Sequence, residues 1–216
     1  MKIALVGNPN SGKTTLFNAL TGMRQDVGNF PGVTVERKSG KFKHKDAIEG
    51  ARVVDLPGTY SLDPRSLDEQ ITSQILHDKN DPDHPDRVVV VLDATRLKVG
   101  LYLAMQVIET GIPTTVVLNM ADELEKDHKL DVDQLSEGMG TDVFLISAKK
   151  GIGVNGLKSH LANSQPKPSI VKWKLDSNGD PQRHVYIKEL LRSYNGGLSD
   201  LKKSRINKAD DILTHP

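Results

Sequence analysis

The sequence predicts a doubly wound α/β fold, and three observations carry that expectation. Short apolar runs rich in β-branched residues recur along the chain, at 3–6, 53–54, 88–92, 114–118 and 143–146. They are nearly continuous rather than alternating, as strands buried on both faces of a parallel sheet must be. Between them, the segments 14–20, 67–76, 97–109 and 154–161 carry apolar residues at helical spacing. The alternation of the two patterns is that of strands wound with crossover helices. The third observation is length: 216 residues suit one full domain and a small appendage.

Taken in order, the first run opens the sheet and ends at Gly7, and a glycine-rich loop leads into the helix at 14–20. The pair Val53 and Val54 forms a second strand, followed by the helix at 67–76. The run at 88–92 is the most apolar strand, and the helix at 97–109 returns to the strand at 114–118. The last strand lies at 143–146 and the last helix of the pattern at 154–161. Past Asn163, the stretch Ser164-Gln165-Pro166-Lys167-Pro168 reads as a linker. Two short helices are expected after it, at 186–194 and 198–213, on either side of Asn195-Gly196-Gly197. They hold too few apolar residues for a core of their own, so the tail should pack on the first domain or on an absent part. Domain bounds follow: 1–162, a linker at 163–169, and a small helical unit at 170–216. Trp173 is expected to seat the tail.

Composition narrows function by exclusion. Lys and Arg number 29 against 28 Asp and Glu, a net charge of +1, so there is no general field to draw in nucleic acid. The absence of cysteine removes disulfides, iron–sulfur clusters and thiolate zinc sites. The N-terminal apolar run is too short for a secretory signal. The longest apolar run, 88–92, is far below the ~18 residues a membrane helix needs, so the chain as given is not expected to cross a membrane.

In a wound sheet, ligands bind at the carboxyl ends of strands, and the chemistry-bearing motifs sit there. Gly7-Asn8-Pro9-Asn10-Ser11-Gly12-Lys13-Thr14 follows the first strand and opens a helix, with Thr15 beside it in the first turn. This is the G-x-x-x-x-G-K-[ST] phosphate loop: its backbone N–H groups and the helix N-terminus cradle phosphate oxygens. Lys13 would neutralise the β and γ phosphates, and the Thr14 hydroxyl would ligate Mg²⁺. Asp55-Leu56-Pro57-Gly58 follows Val53-Val54, so Asp55 would hold Mg²⁺ through water and the Gly58 N–H would sense a γ-phosphate. Asn119-Met120-Ala121-Asp122 ends another strand. Asp122 can accept from N1–H and the 2-amino group of guanine, whereas adenine would leave the carboxylate unpaired. Ser147-Ala148-Lys149 would offer a backbone N–H to guanine O6. Together these motifs favour GTP over ATP.

The set is similar to the motifs of translation-factor-like and Ras-like P-loop GTPases, which implies a doubly wound, mostly parallel six-stranded sheet. The segment Gly28-Asn29-Phe30-Pro31-Gly32-Val33-Thr34-Val35-Glu36-Arg37-Lys38 resembles the first switch of the ferrous-iron transport protein B family. The phosphate loop, Asp55-Leu56-Pro57-Gly58-Thr59-Tyr60-Ser61-Leu62, the Asn119 to Asp122 tetrad, and Leu101-Tyr102-Leu103 after Asp93-Ala94-Thr95 fit the same family. The resemblance covers residues 1–162. It implies that Gly32, Val33, Thr34, Val35 and Glu36 contact nucleotide, with Thr34 closing over Mg²⁺ and the γ-phosphate. Lys13, Thr34, Asn10 and Gly58 would be the catalytic set.

It further implies a G domain, a helical domain and then a membrane permease for ferrous iron, on the cytoplasmic face of the bacterial inner membrane. Lys208-Ala209-Asp210-Asp211-Ile212-Leu213 resembles the stretch before the first membrane helix, so the chain is expected to be a soluble piece of a longer transporter, with homo-oligomers open.

Departures bear on mechanism. Thr59 stands where a Ras-like GTPase has the glutamine that orients the attacking water. No arginine is assignable as an internal finger, so hydrolysis should be slow. In the resembled family an asparagine at the position of Asn10 binds K⁺ beside the β and γ phosphates, which would offset transition-state charge. Met120 replaces the usual lysine of the guanine motif. The loop His77-Asp78-Lys79-Asn80-Asp81-Pro82-Asp83-His84-Pro85-Asp86 is read as a solvated acidic loop rather than an iron site, having no fixed ligand spacing. Two readings compete: a slow, potassium-stimulated GTPase coupled to iron uptake, and a nucleotide-binding switch with negligible catalysis. A ribosome-assembly GTPase lacks support, because no basic RNA-binding domain follows Leu161.

Overall fold

The computed structural model describes residues 1–23, 26–124, 130–162, 168–174 and 182–194. Seven strands form one sheet in the order β2-β3-β4-β1-β5-β6-β7: β1 (Lys2–Gly7), β2 (Asp26–Asn29), β3 (Glu36–Lys41), β4 (Arg52–Asp55), β5 (Arg87–Asp93), β6 (Thr114–Asn119) and β7 (Asp142–Leu145). From β4 to β7 every pairing is parallel; β3 pairs antiparallel with β4, and β2 antiparallel with β3. The six strands expected thus become seven, because the segment after the first helix forms a hairpin on the sheet edge. The residues of β3, ERKSGK, carry no apolar pattern. Their pairing is set by register with β4, with Lys38 opposite Asp55 and Lys41 opposite Arg52.

Consecutive residues of the central strands feed two cores, which is why their runs are continuous. Ile3, Leu5, Val89, Val91 and Val117 face α1 (Lys13–Thr21) and α5 (Val154–Ala162), meeting Leu16, Phe17, Leu20, Leu157 and Leu161. Ala4, Val6, Val88, Val90, Val116 and Leu118 face the other layer, made by α2 (Leu67–His77), α3 (Leu97–Glu109) and α4 (Val132–Met139). Burying a leucine or valine of this kind contributes about 1.5–3 kcal/mol. The helix α4 escaped the sequence reading because it is two turns long; Asp131 caps it by accepting from Gln134 N–H at 2.9 Å.

The tail does pack on the domain. Ile170 N–H donates to Gly140 O at 2.8 Å, Trp173 is 5% exposed, and α6 (Arg183–Tyr194) sets Ile187 and Leu190 into the core shared with α3 and α4. Trp173 Nε1 and the Arg183 guanidinium both donate to the Glu109 carboxylate. The expected turn at 195–197, the helix at 198–213, the linker residues 163–167 and the stretch 208–213 lie outside the described residues.

The loop at 77–86, between α2 and β5, is solvated as expected at His77, Asp78, Lys79, Asn80, Pro82 and Asp86, but its centre is anchored. Asp83 is 5% exposed and takes two donors from Arg37, with Nε at 2.6 Å, while His84 Nδ1 lies 2.9 Å from Ile75 O and Lys2 Nζ donates to Pro82 O at 2.6 Å. An arginine from β3 needs a buried partner here, and local sequence says nothing of a residue 46 positions away. Among the described residues no cluster of His, Asp and Glu forms a metal site. Nor is any helix of the described residues long and apolar enough to cross a membrane.

Candidate nucleotide site

The carboxyl ends of β1, β4 and β6 bring three of the motifs together. At the first, β1 ends at Gly7, where a Cβ would stand 2.4 Å from Val91 O of β5, so only glycine allows the two strands to lie this close. The loop then turns through left-handed conformations at Asn10 (φ 66°) and Gly12 (φ 82°) into α1. Where α2 is capped by the Ser66 side chain, no side chain caps α1. Its first N–H groups are left directed at the cleft, the arrangement that binds phosphate.

That cleft, about 560 Å³, is lined by Asn8, Pro9, Asn10, Gly12, Lys13, Thr14 and Thr15 of the loop, together with Gly58 and Asp68. Lys13 Nζ pairs with Asp55 and donates to Leu56 O at 2.6 Å, and Thr14 Oγ1 lies 3.5 Å from Asp55 Oδ2. A hydroxyl and a carboxylate, both hard oxygen donors, meet beside a lysine, which is the donor set Mg²⁺ takes beside phosphate. Asn8 Oδ1 and Ser11 Oγ are buried without a hydrogen-bond partner in the described structure, polar atoms at the loop that a ligand shell would satisfy.

The guanine loops are joined to the phosphate loop by Asn119. Its Nδ2 donates to Ser11 O at 3.0 Å and its Oδ1 accepts from Ala148 N–H at 2.9 Å. One buried amide therefore ties three loops into one register. Gly12 leaves room for it: a Cβ there would lie 2.2 Å from Asn119 Nδ2. Met120 turns in the left-handed region (φ 67°), and Ala121 N–H donates to Ile146 O at 3.0 Å, which presents Asp122 toward the Ser147 loop. The Asp122 carboxyl is held below its usual range, chiefly by the Ser147 hydroxyl, then by backbone N–H and Lys150, whose Nζ is 3.5 Å away. The lysine beside Asp122 is thus Lys150; both it and Lys149 are exposed, and Ser147 is fully buried.

Switch I is placed differently. Gly32, Val33, Thr34 and Val35 lie in the turn between β2 and β3, and Glu36 opens β3; the turn is closed on itself by Phe30 N–H to Val35 O at 3.0 Å and Val33 N–H to Phe30 O at 3.2 Å. Phe30 is buried and Thr34 exposed, so Thr34 is not among the residues lining the phosphate cleft. Thr59 points away from it as well. It is 1% exposed, donates its N–H to Gly7 O at 3.1 Å and its hydroxyl to Ser61 O at 2.6 Å.

Sequence reasoning missed Asp68 and Glu69. Ser66 and Glu69 form a capping box at the start of α2: Glu69 N–H donates to Ser66 Oγ at 3.3 Å, while the Glu69 carboxylate accepts from Arg65 N–H at 2.9 Å and Tyr60 N–H at 3.4 Å. The Arg65 N–H is the main cause of a lowered Glu69 pKa. The S-x-x-E spacing was legible; that it brings Asp68 to the phosphate cleft was not.

A phosphate cradle at β1, a hydroxyl–carboxylate pair at β4 and an amide-tied base loop at β6 on this sheet define the P-loop GTPase class. The family model for ferrous iron transport protein B matches residues 1–161, and the chain belongs to that family. It is 48% identical over 163 residues to the Fe(2+) transporter FeoB of Salmonella typhimurium, and 47% to that of Escherichia coli, covering 73% of this chain and 20% of each relative. The chain therefore spans about a fifth of the length of these curated relatives. Among solved structures, the cytosolic domain of L. pneumophila FeoB is similar with a TM-score of 0.73 and 38% identity, over 96% of this chain and 75% of that one. A GDP-bound variant of the S. thermophilus FeoB G-domain is similar with a TM-score of 0.70 and 38% identity, over 89% and 77%.

Proposed function

We propose that the chain binds Mg²⁺-GTP and hydrolyses it slowly, as the G domain (residues 1–162) of a transporter that takes up ferrous iron through a membrane permease. The observation that carries the reading is the convergence of Lys13, Thr14 and Asp55 on an uncapped helix N-terminus, joined by Asn119 to the Asp122 loop. Relatives that are Fe(2+) transporters, and similar G domains solved with GDP, support it. Residues 163–169 then act as linker, and 170–216 lead toward the membrane domain.

In the reaction, water is the nucleophile and attacks the γ-phosphorus of GTP in line with the bond to the leaving GDP. Lys13, the loop N–H groups and the Gly58 N–H bind the β and γ oxygens and stabilise the charge that spreads over them. Mg²⁺, held by Thr14 and Asp55, would screen those oxygens. Thr34 must move from its present turn to reach them, the order change typical of a switch. A K⁺ ion beside the Asn10 amide would supply the positive charge that no arginine provides. In support of this, Asn10 lines the cleft and takes a left-handed turn there (φ 66°).

A second reading, a guanine-nucleotide switch with negligible catalysis, is favoured by one observation: Thr59 is buried and bonded to Ser61, so no side chain orients water from that position. GTP turnover in KCl and in NaCl, at equal ionic strength and fixed Mg²⁺, separates the two. Faster turnover in KCl, abolished by Lys13→Ala, is the expected result. Equal, near-background rates in both salts would overturn the catalytic reading in favour of the switch.

A further inference from the structure

Gln106 is 5% exposed on the inner side of α3, in a helix otherwise buried through leucine, valine, isoleucine and methionine. A buried primary amide is costly unless its donor and acceptor are both used. Here all three of its hydrogen bonds go to one short segment. Oε1 accepts from Leu62 N–H at 2.9 Å and lies 3.1 Å from the Ser61 hydroxyl, and Nε2 donates to Asp63 Oδ2 at 2.7 Å. Three consecutive residues of the segment after Asp55-Leu56-Pro57-Gly58 are thus gripped by one side chain.

The other end of the segment is gripped too. Thr59 is bonded through N–H to Gly7 O of β1 and through its hydroxyl to Ser61 O. Gly58, which lines the phosphate cleft, immediately precedes this clamped stretch, so it has no slack on that side. The post itself is firm. Nine of the 13 residues of α3 are buried, and Glu109, one turn beyond Gln106, is held by Arg183 and Trp173.

We propose that Gln106 is a positioning residue: it holds residues 61–63 so that the Gly58 N–H stands where a γ-phosphate would meet it, and thereby sets the preference for GTP over GDP. The proposal rests on the GTPase reading above. Only the triphosphate needs Gly58, so loosening the clamp weakens GTP selectively and leaves the phosphate loop and base loop, which hold GDP, as they are.

The test is the affinity of the whole chain for GDP and for a non-hydrolysable GTP analogue, read by nucleotide fluorescence. Gln106→Leu removes all three bonds. Gln106→Glu keeps the acceptor for Leu62 N–H but sets a carboxylate against Asp63. Either substitution is expected to weaken the analogue about ten-fold while GDP changes less than about two-fold. The pair Gln106→Glu with Asp63→Asn reverses donor and acceptor and should restore the ratio. A side chain with a merely structural role would weaken both nucleotides alike, and no exchange of partners would restore their ratio. An unchanged ratio in Gln106→Leu, equal losses for both nucleotides, or a double variant no better than Gln106→Glu overturns the clamp. A parent chain that binds neither nucleotide overturns the GTPase reading with it.

Discussion

Asn119→Ala tests whether one buried amide integrates the site. The side chain is 3% exposed and bridges Ser11 O to Ala148 N–H, so truncation leaves a buried carbonyl and a buried N–H without their partner. Each such loss costs about 1–3 kcal/mol, and about 3 kcal/mol together is a fair central figure. For a chain of this size that corresponds to a fall in Tm of about 6–12 °C. The same free energy, now needed to bring the loops into register on binding, would weaken GDP by up to about 100-fold. Calorimetric melting without nucleotide and titration calorimetry with Mg²⁺-GDP read the two effects separately. A nucleotide-free Tm within about 2 °C of the parent would refute the strut, because a side chain that acted only on bound base could not move it.

Three further outcomes are expected. Asp122→Asn should reduce guanine affinity and shift preference toward xanthine nucleotides, checked by competition binding; unchanged guanine affinity would remove Asp122 from base recognition. Because the Asp122 carboxyl is held below its ordinary 3.8 by the Ser147 hydroxyl, its ionised form is favoured in the fold, and its contribution is lost only as pH falls through that lowered value. Guanine selectivity should accordingly stay flat between about pH 5 and 8. Asp83→Asn, which weakens the buried partner of Arg37, should cost about 2 kcal/mol and lower Tm by about 4–8 °C with GDP affinity unchanged, read by thermal melting and titration.

The catalytic half of the site was legible because its requirements are local. A phosphate loop needs glycine where the backbone turns left-handed or approaches another strand, and a lysine and a hydroxyl at the next two positions, all within eight residues. Strands buried on both faces announce themselves as unbroken apolar runs, and the helix at 97–109 was read with the bounds it has. The hairpin of β2 and β3 was not legible, since the residues of β3 are polar and its place depends on pairing with β4. Nor was the partner of Asp122, because Lys149 and Lys150 are equivalent in sequence and only the turn at 147–152 decides which one faces the carboxylate.

By itself, then, the sequence determined the wound α/β class, the four motif loops at strand ends and the family. Periodicity and motif spacing are written in neighbouring residues. Tertiary structure decided that Asn119 joins loops more than a hundred residues apart, that Gln106 of α3 grips residues 61–63, that Arg37 finds Asp83, and that Thr59 turns inward. Each of these is a buried polar group whose partner is chosen by the packing of distant elements, and no local pattern encodes that choice.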